Sequence, residues 1–365
     1  MTTALIFIAV LFVLILVHEW GHYITAKWTG MRVDEFGIGF PPKLFGYKKG
    51  ETEYSLNALP IGGFVRIYGE DPTQVENDPD RERSFSARPR WAQAVVLIAG
   101  VTMNVLLAWF LFVLVFLMGI PTAVEESAAG PDATLRVVEV TDGSALQGVV
   151  PVNANILSIV SVQGGESIDQ LTPSALTEFV GHVGTKPIEI EYALGDEVST
   201  VIVTPSAGTI PEDLDRVGLG VRTALIEEVR YGLFAAVVQA TQQTYNMLVL
   251  IVVSIAGLIY AALVGTADFS QIAGPVGIFN LVGDAASVGI TSLLLFTAVI
   301  SLNLAIINLF PIPALDGGRL IFVTIESVIR RPIDPIWTSR LNILGFIFLI
   351  VLMIAVTYND ILRLI

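Results

Sequence analysis

Two histidines, His18 and His22, stand four residues apart in the apolar stretch "LILVHEWGHY", residues 14–23. Positions four apart share one face of an α-helix, and Glu19 lies about 100° round the helix from His18. This is the H-E-x-x-H pattern, in which two imidazoles bind Zn²⁺ and the glutamate serves as a general base. The alternative is a chance match, with each histidine making only an interhelical polar contact. Ionisable groups at bilayer depth are costly, and this cost favours a metal site.

The composition indicates a polytopic membrane protein. The 365 residues are 53% hydrophobic and only 15% charged, with a mean hydropathy of +0.71. The chain has no cysteine, which excludes disulfides, cysteine metal ligands and a cysteine nucleophile. The net charge of −14 argues against a nucleic-acid partner, because nucleic acids bind clustered basic residues.

Four stretches have the roughly 20 apolar residues that a membrane-spanning helix needs, at about 3–26, 91–119, 289–310 and 341–357. The N-terminus lacks a basic region and a small-residue cleavage site, so we expect a retained first span. Residues 27–90 carry ten Lys/Arg, whereas residues 121–235 carry five Lys/Arg against seventeen Asp/Glu. The positive-inside rule therefore predicts that 27–90 and 316–340 are cytoplasmic, and that both termini and the acidic segment lie outside.

A third metal ligand must come from a distant part of the chain. The only other histidine, His182, belongs to the outer segment and is expected to be a surface residue. Asp316 follows the third span, where Pro311 and Pro313 break the helix, at a depth comparable with that of His18. An ordinary turn aspartate in a D-G-G loop is the alternative.

Residues 233–265 form a fifth apolar stretch, and its second half is apolar enough to span a membrane. If that stretch crossed the membrane, Asp316 would emerge on the opposite face from His18. We therefore predict that 233–265 lies along the membrane interface or packs against the bundle without crossing.

The remaining segments carry weaker signals. The runs "TEYSLNAL" and "FVRIYG" flank "PIGG" and predict a β-hairpin at about 51–69 near the membrane. Residues 133–206 alternate β-prone runs with one helical stretch, which indicates a small α/β domain. Asn303 and Asn308 either make interhelical hydrogen bonds or bind the substrate backbone or a developing oxyanion. Gly100 and Asn104, four apart, suit close helix packing near the site.

Three motifs in order, "HEWGH", "GVTMN" and "NLFPIPALDGG", resemble those of the site-2 protease family of intramembrane zinc metalloproteases (M50), near the regulator of sigma-E protease branch. The resemblance covers nearly the whole chain. It implies a polytopic α-helical membrane protein with four transmembrane helices, a membrane-associated β-hairpin and an inserted extracytoplasmic α/β PDZ-like domain. The implied segments are a first half of the core at 1–122, the PDZ-like domain at 123–208, a linker at 209–288 and a second half at 289–365, with its Asp-Gly motif at 311–318.

The resemblance also implies a chemistry. His18, His22 and Asp316 would hold one Zn²⁺, and Glu19 would be the catalytic base. The hairpin, with Gly62, Gly63 and Phe64, and the two asparagines, Asn303 and Asn308, would bind an unwound strand of substrate. The substrates would be single-span proteins, such as a pre-trimmed anti-sigma factor, or remnant signal peptides. The location would be the bacterial inner membrane, with the active site toward the cytoplasm.

The outer domain departs from the family pattern in two ways. There is room for one PDZ-like domain rather than two, and its loop is reduced to "GSALQGVVPVNANIL". Two roles stay open for this domain, namely binding of peptide tails, which the reduced loop disfavours, and a size filter that excludes substrates with bulky outer domains. Two other functions compete with proteolysis, namely a zinc-binding membrane scaffold and a metal transporter. Glu19 argues against the scaffold, because a scaffold needs ligands but no base.

Overall fold

A computed structural model describes residues 2–70, 79–141, 143–195, 197–207, 217–266 and 273–364. The chain forms two compact units, one of residues 1–115 and 232–365 and the other of residues 116–231. The elements, in chain order, are α1 (Thr2–Trp28), β1 (Val33–Lys49), β2 (Thr52–Ile67), α2 (Arg90–Met118), β3 (Ile120–Val124), β4 (Thr134–Val140), β5 (Asn155–Ser161), α3 (Pro173–Val183), β6 (Ile188–Leu194), β7 (Glu197–Val203), β8 (Val221–Val229), α4 (Leu233–Val264), α5 (Pro275–Val288), α6 (Ile290–Leu309), α7 (Asp316–Ile329) and α8 (Pro335–Leu364).

Five of the described helices, α1, α2, α4, α6 and α8, are long and apolar enough to cross a membrane. Four of them cover the predicted spans. Helix α8 begins six residues before the predicted start at 341, because the Asp334 carboxylate accepts a hydrogen bond from the Ile336 amide at 2.9 Å and starts the helix early. The fifth, α4, covers the predicted interfacial stretch as one continuous helix of 32 residues, so the count of four spans is not confirmed.

Helices α1 and α2 approach each other closely through glycine. A side chain at Gly21 would overlap the carbonyl of Ala99, so only glycine permits this backbone separation. One turn away on α2, the backbone carbonyl of Asn104 accepts a hydrogen bond from Ser301 Oγ of α6 at 2.7 Å. The three helices are thereby fixed against one another at the level of the two histidines.

The β-ribbon between α1 and α2 differs from the prediction. The predicted hairpin at 51–69 turns at "PIGG", whereas β2 runs through that stretch and pairs antiparallel with β1. One part of β1 pairs with two different parts of β2, because Ile38 is matched with Gly63 and also with Leu56. Gly39 and Gly62 have positive φ angles of +78° and +102°, which let both strands bend sharply enough for this double pairing. Such bends are not visible in residue propensities.

The base of the ribbon is anchored to α1 by charge. Glu51 forms ion pairs with Lys27, in the last turn of α1, and with Arg83. Burial by itself raises the pKa of the Glu51 carboxyl, but hydrogen bonds from these two cations outweigh burial and hold the pKa below its ordinary value. The ribbon is therefore tied to the same helix that carries the H-E-x-x-H pattern.

The connection from α6 to α7 depends on two glycines. Side chains at Gly317 and Gly318 would overlap the carbonyls of Leu309 and Ile312, respectively, because the proline-containing loop folds back onto the first turn of α7. The D-G-G sequence therefore lets α7 begin directly against the end of α6. Asp316 is the first residue of α7 and is held in place by this fold.

Helix α5 lies at one end of the helical bundle. Its first turn is capped by Asp360 of α8, whose carboxylate accepts hydrogen bonds from the amides of Gly274 at 3.0 Å and Gly277 at 2.8 Å. Farther along α5, Phe279 packs edge-on against Phe7 of α1, with ring centroids 5.4 Å apart. Helix α5 thus bridges the beginning of α1 and the end of α8.

The second unit is a six-stranded sheet with the order β3-β8-β4-β5-β6-β7, in which every paired strand is antiparallel. Helix α3 packs Leu176, Val180 and Val183 into its apolar core. The unit extends beyond the predicted domain at 123–208, because β8, in the predicted linker, lies between β3 and β4. The alternation of apolar and polar residues within a strand does not show that β8 pairs with strands so far away along the chain.

Candidate metal centre

Three side chains from distant parts of the sequence meet inside the unit formed by residues 1–115 and 232–365, which we call the membrane unit. Asp316 Oδ2 lies 3.1 Å from His18 Nε2 and 3.3 Å from His22 Nε2, and the two Nε2 atoms are 3.2 Å apart. Both histidines are buried, with 7% and 8% of their surfaces exposed. Within the described part of the chain, these residues form the cluster able to hold a metal ion.

The spacing of the three atoms suits zinc. In a tetrahedral site with bonds of about 2.0–2.1 Å, neighbouring ligand atoms lie about 3.3–3.4 Å apart. The three observed distances fall close to this value. Two imidazoles and a carboxylate also form a donor set that catalytic zinc sites use, with a fourth position left open. The residues present therefore fit Zn²⁺.

Neighbouring groups orient the two imidazoles. The Nδ1–H of His22 donates a hydrogen bond to the Val96 carbonyl at 2.8 Å, which leaves Nε2 free to bind a metal. His18 Nδ1 lies 3.3 Å from the side-chain amide of Asn104. A side chain at Gly100 would overlap both imidazole rings, so this glycine makes room for the pair.

The cluster opens onto a cavity of about 190 Å³. Glu19 lies on its wall beside the two histidines, and the β2 residues Phe64, Val65 and Ile67 form another part of the wall. Glu19 lies directly beside β2, because a side chain at Gly63 would touch Glu19 Cγ at 3.5 Å. A strand edge and the Glu19 carboxylate therefore border the same space as the candidate ligands.

Other predicted residues lie farther from this chemistry. Asn303 Nδ2 donates to the Val299 carbonyl of its own helix at 2.9 Å, and neither Asn303 nor Asn308 is among the described residues that line the cavity. Gly62 packs against the Phe40 ring. Pro311 and Pro313 lie in the loop before Asp316, where Gly345 of α8 packs on the Pro313 carbonyl.

His182 lies on the exposed surface of the second unit, with Nε2 3.7 Å from Glu166 Oε2, and does not belong to the described metal cluster. Its position agrees with the expected surface histidine.

Two charged residues that line the cavity have no counterpart in the sequence prediction. Arg319 and Glu70 form an ion pair at 3.3 Å, and the Arg319 guanidinium also lies over the Phe85 ring, 5.3 Å from its centroid. The available signal for Arg319 was its position three residues after Asp316, on the same helical face. Glu70 follows β2, and its approach to α7 depends on the bent ribbon.

Taken together, the membrane-span-capable helices, the zinc-compatible ligands and the adjacent carboxylate define a class, the membrane-embedded zinc hydrolases. Comparison with known proteins narrows this class. The model of peptidase family M50 matches residues 6–352. A Clostridium perfringens protein of the same metalloprotease group is 34% identical over 95% of both chains.

Two further relatives align over almost their full lengths. Zinc metalloprotease RasP of Oceanobacillus iheyensis is 29% identical over the whole of both chains. The regulator of sigma-W protease RasP of Bacillus subtilis is 28% identical over 99% of both. The chain belongs to peptidase family M50, the site-2 protease family, and is a zinc metalloendopeptidase of the inner membrane with several membrane-spanning helices.

The close packing of the two imidazole rings against Gly100 can be tested by adding a methyl group at this position. We expect Gly100→Ala to weaken zinc binding by about tenfold or more, because the added methyl group displaces both rings. Zinc affinity is measured by chelator competition on the purified protein. Gly257→Ala, within α4 and with open space around the glycine, is the matched control and should bind zinc like wild type. Equal affinity of both variants would contradict the packing described here.

Proposed function

We propose that this metalloprotease hydrolyses peptide bonds within or near the transmembrane segment of single-span membrane proteins. The observation that carries the proposal is the common cavity that joins His18, His22 and Asp316 to Glu19 and to a strand of the ribbon. A transmembrane helix hides its peptide bonds, so it must be unwound before hydrolysis. An extended segment would then find both a strand and a base at the site.

The proposed roles follow from the contacts. His18, His22 and Asp316 would hold the zinc ion, which would supply a Lewis acid for the peptide carbonyl and would make water more acidic. Glu19 accepts the proton of the attacking water and delivers it to the leaving amide nitrogen. Its carboxyl lies on the cavity wall beside β2, where an extended substrate would be bound.

Substrate recognition is assigned to the ribbon. Gly63 and Phe64 belong to the part of β2 that is paired with β1 on one side and borders the cavity. Main-chain hydrogen bonds to such an edge demand little of the substrate sequence. Gly62 supports the bend that positions this segment. For Asn303 and Asn308 we retain the proposal of substrate binding, which requires the end of α6 to adjust when substrate enters.

The biological context is regulated proteolysis. The Bacillus subtilis relative is named a regulator of sigma-W protease, which supports a membrane-bound anti-sigma factor, already trimmed outside, as one substrate class. Remnant signal peptides form a second class. The second unit, proposed to be a single PDZ-like domain outside the membrane, would act as a filter against substrates with bulky outer domains.

We further propose four crossings, with the site toward the cytoplasm and α4 not crossing. Helix α5 bridges the beginning of α1 and the end of α8, which supports its placement on the outer side. If α4 crossed fully, residues 265–274 would have to return across about 30 Å of hydrocarbon, almost their maximal extended reach of roughly 3.5 Å per residue. Extended backbone facing lipid would leave its polar groups unpaired.

The sequence alone leaves a zinc-binding scaffold without peptidase activity as an alternative, and membership of peptidase family M50 argues against it. It would require the ligands alone, whereas Glu19 lies on the cavity wall beside them. Replacement of this residue therefore separates the two functions.

We expect Glu19→Gln to retain zinc but to lose about 10²–10⁴-fold in cleavage rate, because an amide cannot accept the proton. Asp316→Asn should lose zinc affinity and activity together. Cleavage of a single-span model substrate and bound zinc are measured on the same detergent preparations. Glu178→Gln, in the second unit, is the control for the loss of one negative charge. If wild type holds zinc but cleaves no single-span substrate tested, the proposed substrate class is refuted.

The topology can be mapped with single cysteines, since the native chain has none. With a membrane-impermeant maleimide on intact spheroplasts, we expect Leu233→Cys, Thr266→Cys and Glu178→Cys to react from outside. Lys48→Cys, in the ribbon, should react only after permeabilisation. Reaction of Thr266→Cys only after permeabilisation would make α4 a crossing helix and refute the four-span topology.

A further inference from the structure

Asn104 of α2 is a fully buried polar residue beside the metal centre, with 0% of its surface exposed. Its side-chain amide lies 3.3 Å from His18 Nδ1. Among the described residues, its Oδ1 atom has no hydrogen-bond partner. A buried amide oxygen without a partner is destabilising, so this oxygen favours any arrangement of the site that supplies a donor.

The chemistry of the neighbouring imidazole supplies that role. An imidazole that binds a metal through Nε2 carries its proton on Nδ1, which must then donate to an acceptor. His22 already has such an acceptor in the Val96 carbonyl. For His18, the described group that lies within reach of Nδ1 is the Asn104 amide.

Only one end of the amide can accept this proton. The oxygen and nitrogen ends of asparagine have nearly the same shape and exchange places by a half-turn of the side chain. With Nδ2 toward His18, the amide donates to Nδ1, and the imidazole proton lies on Nε2 facing Asp316 at 3.1 Å. With Oδ1 toward His18, the amide accepts from Nδ1–H and leaves Nε2 free.

We propose that Asn104 is the positioning residue of His18 and that its Oδ1 accepts the Nδ1–H of this histidine when zinc is bound. The inference rests on the proposed zinc site and adds the outer partner of one ligand. Ser301 supports it from α6, because its hydroxyl holds the Asn104 backbone in place. The "GVTMN" motif thus supplies both the space for the imidazoles, at Gly100, and the acceptor, at Asn104.

The test compares two replacements of similar shape. Asn104→Leu removes the acceptor and should weaken zinc binding by about 10–100-fold, whereas Asn104→Asp keeps an acceptor in either orientation and should bind within about threefold of wild type or more tightly. Thr102→Val, at an exposed position of the same helix, is the control. Affinity is measured by chelator competition on intact, detergent-solubilised protein.

A spectroscopic measurement on wild type guards against misfolded variants. In the zinc-loaded protein with ¹⁵N-labelled histidine, we expect His18 to carry its proton on Nδ1, slow in exchange with water. Three results would each overturn the assignment. The first is an Asn104→Leu variant that binds zinc as tightly as wild type, and the second is an equal loss of zinc affinity in Asn104→Leu and in a folded Asn104→Asp. The third is a His18 proton on Nε2. These results would leave the proposed function intact. Absence of zinc from the wild-type protein would instead refute both the proposed function and the role of Asn104.

Discussion

The contact between two imidazoles of α1 and the Asp316 carboxylate of α7 joins residues 298 positions apart in sequence. Polar groups at this depth are tolerated only when they satisfy one another or bind a metal. This requirement imposes close helix approach, which glycine provides at two places. Gly21 and Gly100 bring α1 and α2 together, and Gly317 and Gly318 bring α7 against the loop that carries Asp316 to the histidines. These close contacts within the membrane unit bring the three side chains together.

The ribbon adds the second requirement of the proposed function, which is an extended surface beside the chemistry. Ion pairs of Glu51 tie its base to α1, and the bends at Gly39 and Gly62 bring β2 against Glu19. The Arg319–Glu70 ion pair joins the end of the ribbon to α7. The candidate ligands, the proposed base and the strand are therefore held by one network rather than by separate parts.

The sequence predicted what depends on local spacing and on depth. The helical period placed His18, Glu19 and His22 together, and the comparison of span depths brought in Asp316. The register of the ribbon escaped prediction because glycines with positive φ allow β1 to pair twice with β2. Strand β8 was assigned to a linker because its partners, β3 and β4, are about 80 to 110 residues away along the chain. Arg319 and Glu70 were missed because their pairing depends on that ribbon.

The most direct test of the metal centre is zinc K-edge X-ray absorption on the purified protein, compared with the His182→Gln variant. We predict two imidazole nitrogens and oxygen ligands at about 2.0–2.2 Å from zinc, with identical spectra for the two proteins. A third imidazole, or loss of zinc when His182 is replaced, would contradict the set formed by His18, His22 and Asp316.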